Sequence, residues 1–141
     1  LGVCYYVRAY NDAYTDHGFL QISAGVDNKR INEVVEVVLG ECKKLKDYKV
    51  SEEELNKVKE CLIGNMKLSL ELSDDIANFY GGQELLKREI LKAEKKAKEI
   101  RATTANQVQA LAKNIFKNNK LNLALIGPFK QRAQFSKILK F

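Results

Sequence analysis

The chain has 141 residues, 45% hydrophobic and 30% charged, with 24 Lys/Arg against 18 Asp/Glu. Such a length supports one domain with one core, and no run approaches the roughly 18 consecutive apolar residues of a membrane span. The net charge of +6 permits an acidic partner, but Lys87, Arg88, Lys92, Lys95, Lys96, Lys98 and Arg101 lie among glutamates with no interleaved aromatic to stack on bases, which argues against nucleic acid.

Val3 to Tyr10, VCYYVRAY, is aromatic and β-branched and reads as a strand. Val3, Tyr5, Val7 and Ala9 share one face; Cys4, Tyr6, Arg8 and Tyr10 share the other. Asn11 to His17 is polar and turn-like. Gly18 to Val26 is a second strand, with Leu20, Ile22, Ala24 and Val26 on its apolar face, and the two should pair as an antiparallel hairpin.

Asp27 is placed to cap the next element. Ile31, Val34, Val35, Val38, Cys42 and Leu45 recur at helical spacing, and Lys43, Lys44 and Lys46 complement the dipole at the far end. The strongest helix signal follows. Ser51 and Glu54 form a capping box, Glu52 to Glu54 put negative charge at the positive end of the dipole, and Leu55, Val58, Leu62, Met66 and Leu70 make a stripe. Cys61 and Ile63 widen it. Lys67 to Leu72 alternates as a strand would, but the cap favours one helix through Leu72. Gly64, which costs a helix about 1 kcal/mol relative to Ala, is expected to mark a close packing contact.

Ser73 is expected to cap a helix carrying Ile76, Phe79 and Tyr80, with Asp74 and Asp75 in its first turn and a break at Gly81-Gly82 before Leu85 and Leu86. A basic helix runs from about Lys92 to Arg101. Thr104 and Gln107 form a second capping box, opening a helix that buries Val108, Leu111, Ala112, Ile115 and Phe116. Leu121 to Ile126, LNLALI, reads as a third strand, stopped by Gly127-Pro128. Phe129 to Phe141 suits a short amphipathic helix through Phe135, Ile138 and Leu139. The fold class is therefore α+β, a small, mainly antiparallel sheet with a layer of helices on one face.

Little in the chain carries chemistry. The single histidine, His17 in TDHG, has Asp16 beside it but no other ligand at metal spacing, and it reads as a polar turn residue. Asp74-Asp75 reads as part of a helix start, and Gly81-Gly82 as a helix break and not a phosphate cradle. Phosphate-loop, dinucleotide and nucleophile-elbow motifs are absent. Cys4, Cys42 and Cys61 are odd in number and far apart, so neither a disulfide scaffold nor a zinc ribbon is indicated. Cys42 and Cys61 fall on apolar stripes, as free thiols of a reducing, intracellular compartment would.

The order of segments says more. LGVCYYV, then YTDHGFLQISAGVD, VSEEELNKVKECLIGNMKLSLELS, GGQELL and TTANQVQALAKNIFKNNKLNLALIGP together resemble the pitrilysin/insulinase-type zinc peptidases. The resemblance is to the accessory, non-catalytic peptidase C-terminal domain of the processing-peptidase subgroup. It covers Gly2 to Pro128, so residues 1–128 are assigned to a partial domain of this kind and 129–141 to a tail. The family domain contributes further strands before this point, and the natural start of the chain is expected to precede Leu1.

The resemblance implies a clamshell of homologous α+β domains closing on flexible peptides. It implies zinc held by an H-x-x-E-H helix and a downstream Glu. One histidine cannot supply that helix. Zinc is thus expected in the parent enzyme, in another part of the protein or in a partner subunit, and neither a catalytic nor a metal residue in this chain. One position carries over: Tyr5 falls on a family tyrosine that, with an arginine which would lie before Leu1, contacts substrate near the scissile bond. As an alternative, Tyr5 is an ordinary strand aromatic. The implied role is a non-catalytic segment that helps to form a peptide-binding chamber, with peptide or unfolded protein as substrate and a homologous peptidase domain or subunit as partner. The alternative role is an assembly module of a catalytically silent core subunit. An uncovered sheet edge also invites a homo-oligomer.

Overall fold

A computed structural model describes residues 2–86, 89–129 and 132–141. Lys87 and Arg88 of the basic region lie outside the described residues. Strand β1 (Cys4–Ala13) and strand β2 (Gly18–Val26) form a two-stranded antiparallel sheet. Helices follow: α1 (Ile31–Asp47), α2 (Glu52–Ser69), α3 (Ser73–Leu85), α4 (Ala93–Ala102), α5 (Ala105–Ile115) and α6 (Arg132–Ile138). The architecture is α+β and mainly helical.

The chain divides into two compact units. One comprises Leu1–Tyr10, Leu20–Lys49 and Asn106–Phe141; the other comprises Asn11–Phe19 and Val50–Ala105. In the first unit the core draws on Val34, Val35, Leu39 and Cys42 of α1, Ala112 of α5 and Phe135 of α6, and α6 packs along α1. Asp27 caps a single 3-10 turn, Asn28–Arg30, by accepting from the Lys29 N–H at 2.8 Å, and this turn leads into α1. Arg30 grips Glu33 through two bonds of 2.9 and 3.0 Å and donates a third to the Gly2 carbonyl at 3.0 Å. The fork fixes the chain entering β1 against the start of α1.

In the second unit α2 packs on α4. Ser51 caps α2, its hydroxyl oxygen accepting from the Glu54 N–H at 3.2 Å. Arg101 of α4 clasps Glu60 of α2 with two bonds, of 3.0 and 3.2 Å. The buried residues of α2 are Leu55, Lys59 and Ile63, one stripe at a spacing of four.

Several expectations need correction. Leu121 to Ile126 forms no strand; it carries no regular structure, and the sheet has only two strands among the described residues. A strand cannot satisfy its backbone alone, and here no neighbour pairs with it. The central helix stops at Ser69 with a turn through Leu70 to Leu72, although no sheet pairing replaces it. Its buried arc is rotated: Leu62 is 53% exposed and Val58 is exposed, while Ile63 is 2% exposed. Lys59 fills the arc because its methylene stem can be buried with the ammonium at the edge. Gly64 marks no close contact, since a Cβ there would meet open space. Cys61 is exposed, unlike Cys42.

Smaller corrections concern the remaining helices. In α1, Leu39 is buried and Leu45 exposed. Ser73 is the first residue of α3 and not its cap; that position is Leu72, and no side chain caps it. The helix then continues through Gly81-Gly82 to Leu85. In α5, Leu111 is exposed.

Candidate functional site

The hairpin closes on the Tyr14 N–H, which donates to the His17 carbonyl at 2.8 Å. That bond sets the register, placing Tyr5 across from Val26, Val7 across from Ala24 and Tyr6 across from Gly25. Opposed residues in an antiparallel pair share a face. Tyr5, Val7 and Ala9 therefore lie with Ile22, Ala24 and Val26 on one apolar face, and Tyr6, Arg8 and Tyr10 lie with Gln21, Ser23 and Gly25 on the other. Gly25 lets the Tyr6 ring lie close: an added Cβ would come within 2.8 Å of its Cδ1 and the ring would have to shift. The tyrosine lies flat across its neighbour only because that neighbour has no side chain.

Neither face is sealed. Tyr5 is 83% exposed, and Val7, Leu20, Ile22, Tyr6 and Tyr10 are exposed as well. Scattered apolar residues on a surface need no explanation; here Tyr5, Val7, Leu20 and Ile22 are exposed together on one face of the hairpin. Tyr5 can offer a ring for packing and a phenolic hydroxyl as donor or acceptor. Sequence reasoning gave the apolar face on which Tyr5 lies. It missed that the face lies bare, because the sequence shows which residues alternate but not what covers them.

The other residues considered for chemistry do not come together. His17 is exposed, its Nδ1 2.6 Å from Asp16 Oδ1, and its ring stacks on Tyr14 at 4.6 Å. These contacts make it a brace of the hairpin turn. Asp74 and Asp75 sit in the first turn of α3, where carboxylates complement the helix dipole. No group of three or more His, Cys, Asp or Glu that could hold a metal occurs among the described residues. With the one histidine in a turn, the residues present do not fit a two-histidine zinc site. Burial pushes the Cys42 thiol above its ordinary pKa, which disfavours the thiolate that a nucleophile would need.

A polar latch escaped the sequence reading. Gln83 of α3 donates to the Phe79 carbonyl at 3.0 Å, while its own carbonyl oxygen accepts from the Leu91 N–H at 2.9 Å. It ties the segment after α3 back onto that helix. Its one sequence signal is a glutamine in the last turn of a helix, too common to single out.

Residues 1–62 match the family described as "Peptidase M16 inactive domain". Over 127 residues the chain is 29% identical to the "Uncharacterized zinc protease YmxG" of Bacillus subtilis (strain 168), an alignment covering 90% of this chain and 31% of that protein. The fold is similar to a chain of "Complex III2 from Candida albicans, Inz-5 bound", with a TM-score of 0.70 and 19% identity, over 78% of this chain and 27% of that one. The chain thus spans about a third of the length of the curated relative it matches.

Proposed function

We infer that this chain carries part of the inactive domain of an M16 peptidase, a reading supported by the family match over residues 1–62 and by the similarity to a zinc protease. The reading it supports is a non-catalytic segment that lines a peptide-binding chamber, with the zinc and its general base in another part of the protein or in a partner subunit. The observation carrying it is the bare apolar face of the hairpin, with Tyr5 the most exposed side chain on it. A flexible peptide laid along that face would bury Val7, Leu20 and Ile22 and meet the Tyr5 hydroxyl. Apolar burial of about 25 cal/mol per Å² favours such contact without demanding one sequence. The processing-peptidase character of the chain and its peptide substrate are parts of this proposal.

The edges of the sheet have a separate role in it. Each of the two strands presents an outer row of backbone donors and acceptors, which a strand of a homologous domain, a partner subunit or a second copy would satisfy. The similarity in fold to a chain of a multi-subunit complex favours a second reading on the same edges, an assembly module without a peptide-binding task.

Site-specific photocrosslinking separates the two. A benzophenone amino acid at Tyr5 should capture a labelled, flexible, uncharged peptide, whereas the same group at Tyr48, also exposed, should not. Equal capture at both positions, or none at Tyr5, would overturn the peptide-binding reading and leave the assembly module.

A further inference from the structure

The charge of this chain is distributed unevenly. From Ala102 to Phe141 the sequence has seven Lys/Arg and no Asp or Glu, while the other 17 Lys/Arg nearly cancel the 18 Asp/Glu. The structure gathers part of that excess around one feature of the first unit. Helix α6 lies along α1 and leaves an open recess of about 410 Å³. Leu39, Gly40 and Ile138 form its apolar floor, and Lys43, Lys137 and Lys140 stand around it with Glu36 the one carboxylate.

The recess is held in place by contacts on either side. Phe135 is buried and its ring meets Phe129 edge-on at 5.3 Å. Phe141 packs on Phe116 at 5.5 Å, lies under the Lys46 ammonium at 5.4 Å, and donates its N–H to the Asn118 side chain at 2.8 Å. Lys43 is engaged by Asp47. Lys137 and Lys140 are exposed and make no ion pair among the described residues, which leaves the recess two unpaired lysines against the one carboxylate of Glu36.

We propose that the α1–α6 recess docks an acidic polypeptide segment, one apolar side chain of which sits over Leu39 and Ile138 while flanking carboxylates meet Lys137 and Lys140. Three features choose this partner over other anions. The apolar floor has no use for a phosphate or a lipid headgroup but suits a Leu or Phe between acidic residues. The apolar side of α6 is turned inward through Phe135, Ile138 and Leu139, which leaves no wedge to enter a bilayer. Phe116 and Phe141 are turned on each other, so they offer no stacking platform for bases. Lysines also suit carboxylates of no fixed orientation, since an ammonium imposes no planar fork.

Fluorescence anisotropy on the whole chain tests this with a short labelled peptide of Glu and Ser carrying one central Leu. Binding should weaken steeply with salt. Lys137→Glu with Lys140→Glu should lower affinity by about tenfold or more, while Lys57→Glu with Lys98→Glu, an equal change in net charge elsewhere, should alter it by less than about twofold. Gly40→Leu fills the recess from a position whose Cβ meets open space, so the variant should melt no lower than the parent. It should nevertheless weaken the Leu peptide by about tenfold, the worth of one apolar side chain, and leave a Glu/Ser peptide unaffected. Equal losses from the two charge-reversed pairs, no effect of Gly40→Leu, or tighter binding to a phosphatidylserine vesicle or a single-stranded oligonucleotide at the same salt would overturn the proposal.

Discussion

Helix α2 and the stretch from Leu121 to Ile126 have equally clear patterns, yet only the helix forms. The difference lies in where the hydrogen bonds go. A helix closes its backbone bonds within a few residues, and Ser51 satisfies a donor that the first turn of α2 leaves over. A strand can close none of its bonds by itself. Beyond Leu121, whose N–H reaches the Asn118 carbonyl at 3.3 Å, the stretch makes no backbone hydrogen bond to another described residue, and Ile126 stands fully exposed at 104%. The lesson is that alternation is a request for a partner, whereas a capped helical stripe is nearly a complete instruction.

The sharpest test of the helical half is a large-to-small substitution at its centre. Ile63→Ala should lower unfolding free energy by roughly 2–5 kcal/mol, as truncation in a packed core does, whereas Leu62→Ala, one residue away but 53% exposed, should stay within about 0.5 kcal/mol. Urea titration of both variants checks the direction of the buried arc. Comparable losses would mean that the arc runs through Leu62, as the apolar stripe alone suggests.

That pair also shows how far the sequence could be read. The existence and type of both strands, α1, α2, α4 and α5 follow from periodicity and caps, because those signals are local. The orientation of α2 about its axis did not follow. Val58 and Leu62 score as core and Lys59 as surface, and only the neighbours decide which arc is covered. Gly81-Gly82 misled because two glycines weaken a helix by only about 1 kcal/mol each, and α3 continues through them to Leu85, where Gln83 bonds to the Phe79 carbonyl and the Leu91 N–H. For the hairpin, the apolar alternation was legible. The bareness of the hairpin and the recess beside α6 were not, since both depend on elements far apart in the chain.

A smaller effect sharpens the link between α2 and α4. Hydrogen bonding to the Arg101 guanidinium holds the Glu60 carboxyl below its ordinary value of 4.5. A carboxyl with a lowered folded pKa stabilises above its unfolded value and loses that contribution as pH falls through the folded one. Arg101→Gln should therefore lower the melting temperature slightly at pH 7, and parent and variant should converge as the pH falls below 4.5. Both groups are exposed, so the difference should also shrink with added salt. A gap between parent and variant that widens on acidification would contradict the assignment.

The central contrast is between helices that close their own backbone bonds and a two-stranded sheet whose outer edges we propose a partner strand pairs with. Amide hydrogen exchange on the dilute chain, read residue by residue, tests it most directly. Amides from Val58 to Lys67 should be protected by orders of magnitude, while those from Asn122 to Ile126 exchange at the rate of an open chain. Raising the concentration until light scattering reports a dimer should then slow exchange along the sheet edges. Protection of Asn122 to Ile126 in the dilute monomer, equal to that of α2, would show a sheet that needs no partner and contradict the account.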